Sequence, residues 1–181
     1  MGSRLARSIR RALERTGLRE PKPPSGPSAA QVRGAAYPGD FLGTPEISYE
    51  PNAGNGKVAD PGEIVWAWVP FEEDHRQGKD RPVLVIGRDG PWLLALPLTS
   101  KDHDRDAAQE ARDGRYWTDI GPGAWDDHGR ASEARVDRIL RLDQAGVRRA
   151  GAVLDHVRFD QVAVAVRAAR RPPGRRRRPA P

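Results

Sequence analysis

The chain contains no cysteine, so neither a disulfide framework nor a thiolate metal site can form. Histidine is scarce as well: four residues are scattered along the sequence without a close pair, which argues against a zinc site. Long apolar runs are absent, and the basic N-terminus leads into no hydrophobic segment that could act as a secretion signal or span a bilayer. We therefore expect a cytoplasmic protein without a membrane span, whose chemistry uses no metal and no cofactor.

Apolar residues are few for a chain that folds from end to end, at 37% of the sequence with a mean hydropathy of -0.73. The formal net charge is +6, but it is distributed unevenly. Residues 58–169 hold 16 Lys and Arg against 20 Asp and Glu, so the positive excess lies at the two ends. Basic ends attract any polyanion without doing chemistry, and the overall charge does not by itself indicate a nucleic-acid enzyme.

The two ends differ from the middle of the chain in composition. Residues 1–20 carry apolar side chains at helical spacing opposite a row of arginines, which is typical of a short basic amphipathic helix. Such a helix could contact an anionic membrane or a nucleic acid, or it could dock on a partner or remain in solvent. Residues 21–60 are rich in proline and glycine and predict a linker, in which residues 41–49 could form an edge strand. Residues 171–181 predict a disordered, arginine-rich tail.

Short apolar runs of strand length begin after Pro61. Residues 63–69, 82–87 and 92–98 are rich in branched and aromatic side chains and predict three strands. The Asp89-Gly90 pair between the second and third runs is a strong hairpin signal, so we expect these two strands to be antiparallel.

The remaining elements close the domain that we predict over residues 61–170. A strand is expected at 116–120 and a single longer strand at 132–142. A helix should follow Asp155 as its N-cap, because apolar residues then recur at helical spacing; these are Phe159, Val162, Ala163 and Val166. Many short strands and one closing helix predict a mainly β (α+β) fold: a small antiparallel barrel or strongly curled sheet.

Five tryptophans raise the question of base stacking. Most of them lie in apolar strands, where packing in the core or between subunits is the simpler interpretation. Trp125 lies in a turn rich in glycine, proline and aspartate, and we expect it to be exposed.

Four motifs of this domain occur in the order found in a known family. Pro61–Trp66 resembles the opening strand of PemK/MazF toxins, Arg81–Ile86 resembles their "R-P-V-L-V-I" strand, and Leu96–Ser100 resembles the strand that ends in "P-I-T-S". Ser132-Glu133, which leads into residues 138–143, resembles a later strand before the C-terminal helix. Each motif is short, but four in register are specific.

The resemblance to this type II toxin family implies an SH3-like barrel with a C-terminal helix, and a homodimer. It also implies metal-independent, sequence-selective cleavage of single-stranded RNA, and neutralisation by an antitoxin protein encoded beside the toxin. A further implication is that toxin and antitoxin together bind operator DNA at their own promoter. No cofactor is implied.

The matched positions suit cleavage of RNA in which the ribose 2'-hydroxyl attacks the adjacent phosphate. Arg81 matches the catalytic arginine of the family, and a guanidinium can bind two phosphate oxygens where negative charge develops. Thr99 matches the catalytic threonine, with Ser100 as a further hydroxyl donor. Alternatively, Arg81 is a surface residue paired with Asp80 or Glu72, and the two hydroxyls cap a loop. Arginine rarely loses its proton, so the general base stays unassigned.

The loop before Arg81 offers further candidates. His75 could transfer a proton near neutral pH, and Lys79 and Arg76 could bind the RNA backbone, although solvated loop residues would look the same. Residues 72–78 depart from the Gly-Ser-Glu loop of many family members. Their acidic character would repel phosphate unless the loop folds aside or becomes ordered on binding.

Two functions of another class remain open at this point. The barrel could be a catalytically silent module that binds DNA, RNA or a protein partner, because a fold does not guarantee an activity. The chain could also be an adaptor that works through its basic ends.

Overall fold

The computed structural model describes residues 37–52, 56, 58–100 and 114–170. The predicted N-terminal helix, the first part of the linker, the charged segment 101–113 and the arginine-rich tail lie outside the described residues.

The described chain forms seven strands and one α-helix, and all strand pairs are antiparallel. Their bounds are β1 Glu63–Pro70, β2 Gly78–Asp89, β3 Trp92–Thr99, β4 Trp117–Gly121, β5 Ser132–Arg135, β6 Leu140–Asp143, β7 Arg148–Val153 and α1 His156–Ala169. A short 3-10 helix, Gln144–Gly146, joins β6 to β7.

Strand β3 lies at the centre of the sheet. The strand order is β4-β5-β3-β2-β1-β7, and β6 also pairs with β3. One edge of β3 pairs with β2, while the other pairs with β6 over residues 92–95 and with β5 at Leu98 and Thr99. Because two strands share one edge of β3, the sheet curls into a half-barrel. The predicted mainly β fold with a C-terminal helix is confirmed.

Apolar side chains cover both faces of the central strands. One face packs against α1, and its cluster includes Leu84, Ile86, Leu94, Leu96, Leu98, Phe159, Val162 and Val166. The other face has a second cluster that includes Val65, Val83, Val85, Leu93 and Leu142. Strands buried on both faces appear in the sequence as continuous apolar runs, which is why they were predictable.

The predicted helix and hairpin are confirmed. Asp155 is the N-cap of α1, and its Oδ1 accepts a hydrogen bond from the Arg158 backbone N at 3.0 Å. The four apolar residues predicted for the inner face of the helix are all buried. In the β2–β3 hairpin, Asp89 pairs with Trp92, and Gly90 has a φ of 58°, a left-handed conformation that favours glycine.

The prediction of one strand over residues 132–142 was wrong. The structure has two strands, β5 and β6, which pair with different parts of β3. The chain between them turns so that Val136 and Ile139 both pack in the cluster that faces α1. In a regular strand, residues three apart would point to opposite faces. Strand β7 was not predicted, because its sequence, RRAGAV, has little apolar content. Pairing with β1 creates this strand.

Residues 41–49 do not form the edge strand considered from the sequence. They belong to an extended segment, residues 37–49, which we call the N-terminal strap. Ser48 N donates to Ile86 O at 3.2 Å, and the strap packs Phe41, Ile47 and Tyr49 against the core. Pro45 lacks a backbone N–H, which is one reason that continuous pairing cannot form there. The strap is therefore held largely by side chains.

Trp125 is buried, in contrast to the prediction, with only 5% of its surface exposed. Its Nε1 donates to Ser132 Oγ at 3.1 Å, and its ring folds back over Gly123, where a Cβ would lie 2.0 Å from a ring carbon. The glycine that suggested an exposed turn is thus required for the ring to enter the core.

Among the described residues, no helix is long and apolar enough to cross a membrane.

Candidate functional site

A cleft of about 380 Å³ lies where β2 begins and β3 ends. These ends are adjacent because the two strands are antiparallel neighbours. The cleft is lined by Val69, Pro70, Phe71, Glu72, Glu73, Arg81, Pro97, Thr99, Arg115, Trp117, Arg135 and Arg138.

Arg81 and Thr99 line this cleft together. Val83 of β2 pairs with Pro97 of β3, and each of the two site residues lies two positions beyond that pair, at the same end of the sheet. Side chains two positions apart on a strand share a face, so both residues extend the face of Val83 and Pro97. The strand register therefore brings the guanidinium and the hydroxyl to one site.

The two carboxylates that could have formed a surface ion pair with Arg81 are bound to other arginines. Asp80 Oδ1 lies 2.8 Å from Arg148 Nη2, and Glu72 Oε2 lies 2.7 Å from Arg135 Nη1. Asp80 cannot share the face of Arg81, because adjacent residues of a strand point to opposite sides. The simple surface ion pair considered from the sequence is not what the structure shows.

Arg81 is a half-buried cation beside a second cation. Burial lowers the pKa of its guanidinium, and the positive charge of Arg138 lowers it further. Arginine nevertheless stays protonated at neutral pH, because a guanidinium effectively never loses its proton in proteins. A guanidinium in this environment gains more from an added anion than a solvated one does, since water screens it less.

Three further arginines line the cleft, and no sequence pattern had pointed to them as site residues. Arg138 is 7% exposed and pairs with Asp40 in the strap, with 2.9 Å between Nε and Oδ2. Arg135 pairs with Asp137 at 2.8 Å between Nη2 and Oδ2, in addition to Glu72. The third is Arg115. Arg115 precedes β4, Arg135 is the last residue of β5 and Arg138 follows β5, so only the curled sheet brings them to Arg81.

The acidic loop before β2 is partly neutralised within the molecule. Burial alone would raise the pKa of Glu72, but the hydrogen bonds and the charge of Arg135 outweigh it, so the pKa is lowered and the carboxylate is ionised. At the loop tip, Arg76 Nε lies 2.9 Å from Asp74 Oδ1, and Phe71 N donates to Gln77 O at 2.8 Å. Two of the acidic side chains are thus bound by arginines, which reduces their repulsion of phosphate.

The other predicted site residues do not line the cleft. His75 is exposed, and its ring lies edge-on to Tyr37 with 5.0 Å between centroids. Arg76 is exposed and bound to Asp74, as described above. Lys79 is exposed and lies on the same face of β2 as Arg81, two residues earlier. Ser100 is half-buried and directly follows Thr99.

An aromatic side chain that we expected to pack in the core or between subunits is part of the cleft wall. Trp117 is half-buried and pairs with Arg135 across β4 and β5. Phe71, which directly follows β1, is half-buried and lines the same cleft. The cleft therefore combines cationic, hydroxyl and aromatic groups, which together can bind a phosphate and the flat face of a base.

Among the described residues, no group of three or more histidine, aspartate or glutamate side chains is arranged to hold a metal ion.

A family model for PemK-like, MazF-like toxins of type II toxin-antitoxin systems matches residues 60–169. This match covers more than half of the chain, and the protein belongs to that toxin family. The resemblance seen in the sequence motifs is thus confirmed.

Solved structures with a similar fold include two from Deinococcus radiodurans. One is a MazE-MazF complex (form II) and the other is MazF (form I), with 19% and 20% sequence identity to this chain and a TM-score of 0.43 in each case. Each comparison covers 61% of this chain and 94% of the other. Comparison with curated proteins gave no match.

Proposed function

We propose that this toxin-family protein is a metal-independent endoribonuclease that cleaves single-stranded RNA by attack of the ribose 2'-hydroxyl. The observation that carries the proposal is that Arg81 and Thr99 line one cleft at neighbouring strand ends. The membership of the toxin family supports it independently.

The reaction forms a bond between the 2'-oxygen and phosphorus and breaks the bond to the 5'-oxygen of the next nucleotide. The products are a 2',3'-cyclic phosphate and a 5'-hydroxyl end. Negative charge grows on the non-bridging oxygens, and the guanidinium of Arg81 can bind two of these with parallel hydrogen bonds. The hydroxyl of Thr99 can donate to one of them, with Ser100 beside it as a further donor.

Two groups are candidates for the proton transfers. Glu73 lines the cleft and is exposed, so its carboxylate can reach a 2'-hydroxyl bound there. Histidine is the side chain best suited to transfer a proton near neutral pH, but His75 lies beside Tyr37, so the loop would have to move for it to act. Substitution of each by glutamine separates them, because only the true base should remove one limb of the pH–rate profile.

The substrate class follows from the side chains of the cleft. Four arginines provide charge for a phosphate backbone, and Trp117 and Phe71 provide faces on which an unpaired base can stack. Lys79 and Arg76 extend the basic surface beyond the cleft. A single strand exposes both its phosphates and its bases, whereas a duplex hides the base faces.

We also propose that the protein is cytoplasmic, forms a homodimer, and is neutralised by an antitoxin that covers the cleft. The family membership supports these assignments, since toxins of type II systems are defined by a protein antitoxin. The related Deinococcus structure contains MazE together with MazF. Binding of operator DNA would require the antitoxin. Residues 1–20, 21–60 and 171–181 are proposed to be appendages of a 61–170 toxin domain.

The decisive experiment is cleavage of a long RNA by the purified full chain in the presence of EDTA, with the cut sites mapped and the end groups identified. We expect cyclic phosphate ends and an activity that Arg81→Ala abolishes without unfolding the protein. No cleavage by the wild type, in any RNA tested, would favour the silent binding module. Activity that survives Arg81→Ala but not removal of residues 1–20 and 172–181 would favour the adaptor.

A further inference from the structure

The N-terminal strap precedes the region matched by the family model, residues 60–169, yet it binds a residue that lines the cleft. Asp40 of the strap binds the guanidinium of Arg138, which lines the cleft wall. The two distances are 2.9 Å between Nε and Oδ2 and 3.3 Å between Nη2 and Oδ1. Both oxygens of the carboxylate are therefore engaged with one edge of the guanidinium, a geometry that fixes its plane.

Hydrogen bonds to the backbone of Asp40 and Phe41 also hold the strap in place. Phe41 N donates to Ile139 O at 2.8 Å, and Arg141 Nη1 donates to Asp40 O at 3.0 Å. Arg170, at the end of α1, donates from Nη2 to Phe41 O at 2.6 Å. The strap is thus bonded both to the segment that carries Arg138 and to the C-terminal helix.

Tyr37 gives Asp40 an additional partner. Its hydroxyl donates to Asp40 Oδ1, and its ring contacts His75 of the acidic loop. Burial and the hydrogen bond to Asp40 both raise the pKa of the Tyr37 hydroxyl, so it remains protonated and can donate over the whole physiological range. The strap therefore connects the loop before β2 with the arginine wall.

The consequence for Arg138 is a fixed orientation. In the described part of the chain, the hydrogen bonds of Arg138 use Nε and Nη2, so the Nη1 corner is the one left to meet a ligand. Arg138 is 7% exposed and close enough to Arg81 to lower its pKa. A buried guanidinium without its counterion is unfavourable, so it would move towards solvent or draw in water. Either change would displace Nη1 of Arg138.

We propose that Asp40 is a positioning residue for RNA binding: it holds Arg138 so that its guanidinium contacts a backbone phosphate next to the one bound at Arg81. This inference rests on the proposed function, because it takes RNA as the ligand of the cleft. It makes the strap part of the substrate site. The opposing view is that Asp40 competes with phosphate for Arg138.

The two views predict opposite results for Asp40→Asn, which keeps the shape of the side chain and removes its charge. A positioning role predicts weaker RNA binding, because Arg138 loses its orientation even though the cleft gains a net positive charge. We expect KM to rise by about tenfold to a hundredfold with a smaller change in kcat, since the reacting groups at Arg81 and Thr99 are untouched. Competition predicts tighter binding, and that result would overturn the proposal.

The salt dependence of binding identifies a lost phosphate contact. We would titrate full-length protein with a 2'-O-methyl, mixed-sequence RNA oligonucleotide at several salt concentrations. Loss of one phosphate contact should reduce the slope of log K against log salt by about 0.7, the value for one contact with a single strand. A purely structural role would lower thermal stability without changing this slope.

Matched variants complete the design. Glu46→Gln removes an exposed carboxylate of the same strap and should change neither KM nor the slope. Asp40→Asn combined with Arg138→Gln should bind no more weakly than Arg138→Gln alone, because the two residues act as one unit. Tyr37→Phe keeps the charge pair and the ring contact, removes one hydrogen bond to Asp40, and should give a smaller loss of the same kind. If Asp40→Asn fails to fold, this variant carries the test, and an unchanged KM would then contradict the proposal.

The outcome for the strap is separable from that for the nuclease. If the wild type binds the oligonucleotide but cleaves no RNA, the proposed activity fails, while the slope for Asp40→Asn still decides the role of the strap. If the wild type cleaves RNA and Asp40→Asn matches Glu46→Gln in both KM and slope, the strap proposal fails and the nuclease stands.

Discussion

Arg81 and Thr99 lie on neighbouring antiparallel strands, each two residues beyond the pair formed by Val83 and Pro97, and both line one cleft. A register shift of one residue would turn one of them to the opposite face of the sheet, because side chains alternate along a strand. Their convergence thus depends on the same pairing that buries Val83 and Leu96 in the two faces of the core.

Arg81→Lys should be nearly as inactive as Arg81→Ala. Lysine keeps a positive charge but lacks the planar fork that binds two phosphate oxygens, so the charge alone should not restore activity. We expect a loss of about 10³-fold or more in kcat for both variants, as found for arginines that stabilise phosphoryl transfer. Single-turnover cleavage measures it, and recovery of most activity in the lysine variant would argue against bidentate binding.

Thr99→Val should lose the hydroxyl while keeping the branched shape. If the hydroxyl donates to the phosphate in the transition state, kcat should fall by about 10²-fold to 10³-fold with little change in KM. Thr99→Ser retains the hydroxyl and is the matched control, which should keep most of the activity. Equal kcat values for the valine and serine variants would show that Thr99 serves only as a loop cap.

Trp117→Leu should weaken RNA binding without affecting the fold. Stacking of one base on an aromatic ring contributes about 1–3 kcal/mol, which the leucine variant would lose. Binding of RNA should quench the tryptophan emission of the wild type, and this quench should be much smaller in Trp117→Leu, which keeps the other four tryptophans. A quench that persists in Trp117→Leu would contradict the stacking role.

The ion pair between Glu72 and Arg135 should make stability depend on pH below neutrality. The folded-state pKa of Glu72 is lowered from its ordinary value of 4.5, because Arg135 outweighs the effect of burial. A lowered folded pKa stabilises the protein above the ordinary pKa, and this contribution is lost as the pH falls through the folded value.

Urea unfolding of wild type and Glu72→Gln at several pH values measures this effect. We expect the wild type to be more stable at pH 6 and the difference to shrink progressively below about pH 4.5. Glu73→Gln, on the adjacent exposed residue, is the control. A difference that does not change with pH would show that the pair does not form in solution.

Asp155→Ala should destabilise the protein through the start of helix α1. The side chain of Asp155 caps the helix, and loss of such a cap costs about 1 kcal/mol. Asp160→Ala, in the exposed face of the same helix, should cost less, because its contact with His156 is a solvent-exposed pair at 3.6 Å. Equal effects of the two substitutions on the free energy of unfolding would rule out the capping role.

Much of the fold could be predicted from the sequence because its signals are local. The runs that became β1, β2 and β3 are continuous and apolar, and the Asp89-Gly90 turn fixes the hairpin between two of them. Asp155 is a typical N-cap residue, and the apolar residues that follow it recur at the spacing of one face of a helix. Trp125 was misjudged because its surroundings in sequence are polar, whereas burial depends on what the turn packs against.

The sequence by itself determined the family, through short motifs that contain Arg81 and Thr99. Only the tertiary structure decided which other groups accompany them. Arg115, Arg135 and Arg138 line the same cleft because β5 and β6 pair with different parts of one edge of β3, which curls the sheet. The tertiary structure also decided the place of Asp40, which is far from Arg138 in sequence and has no local pattern. Contacts of this kind are set by how a sheet curls, and curvature arises from the pairing of distant strands rather than from any one segment.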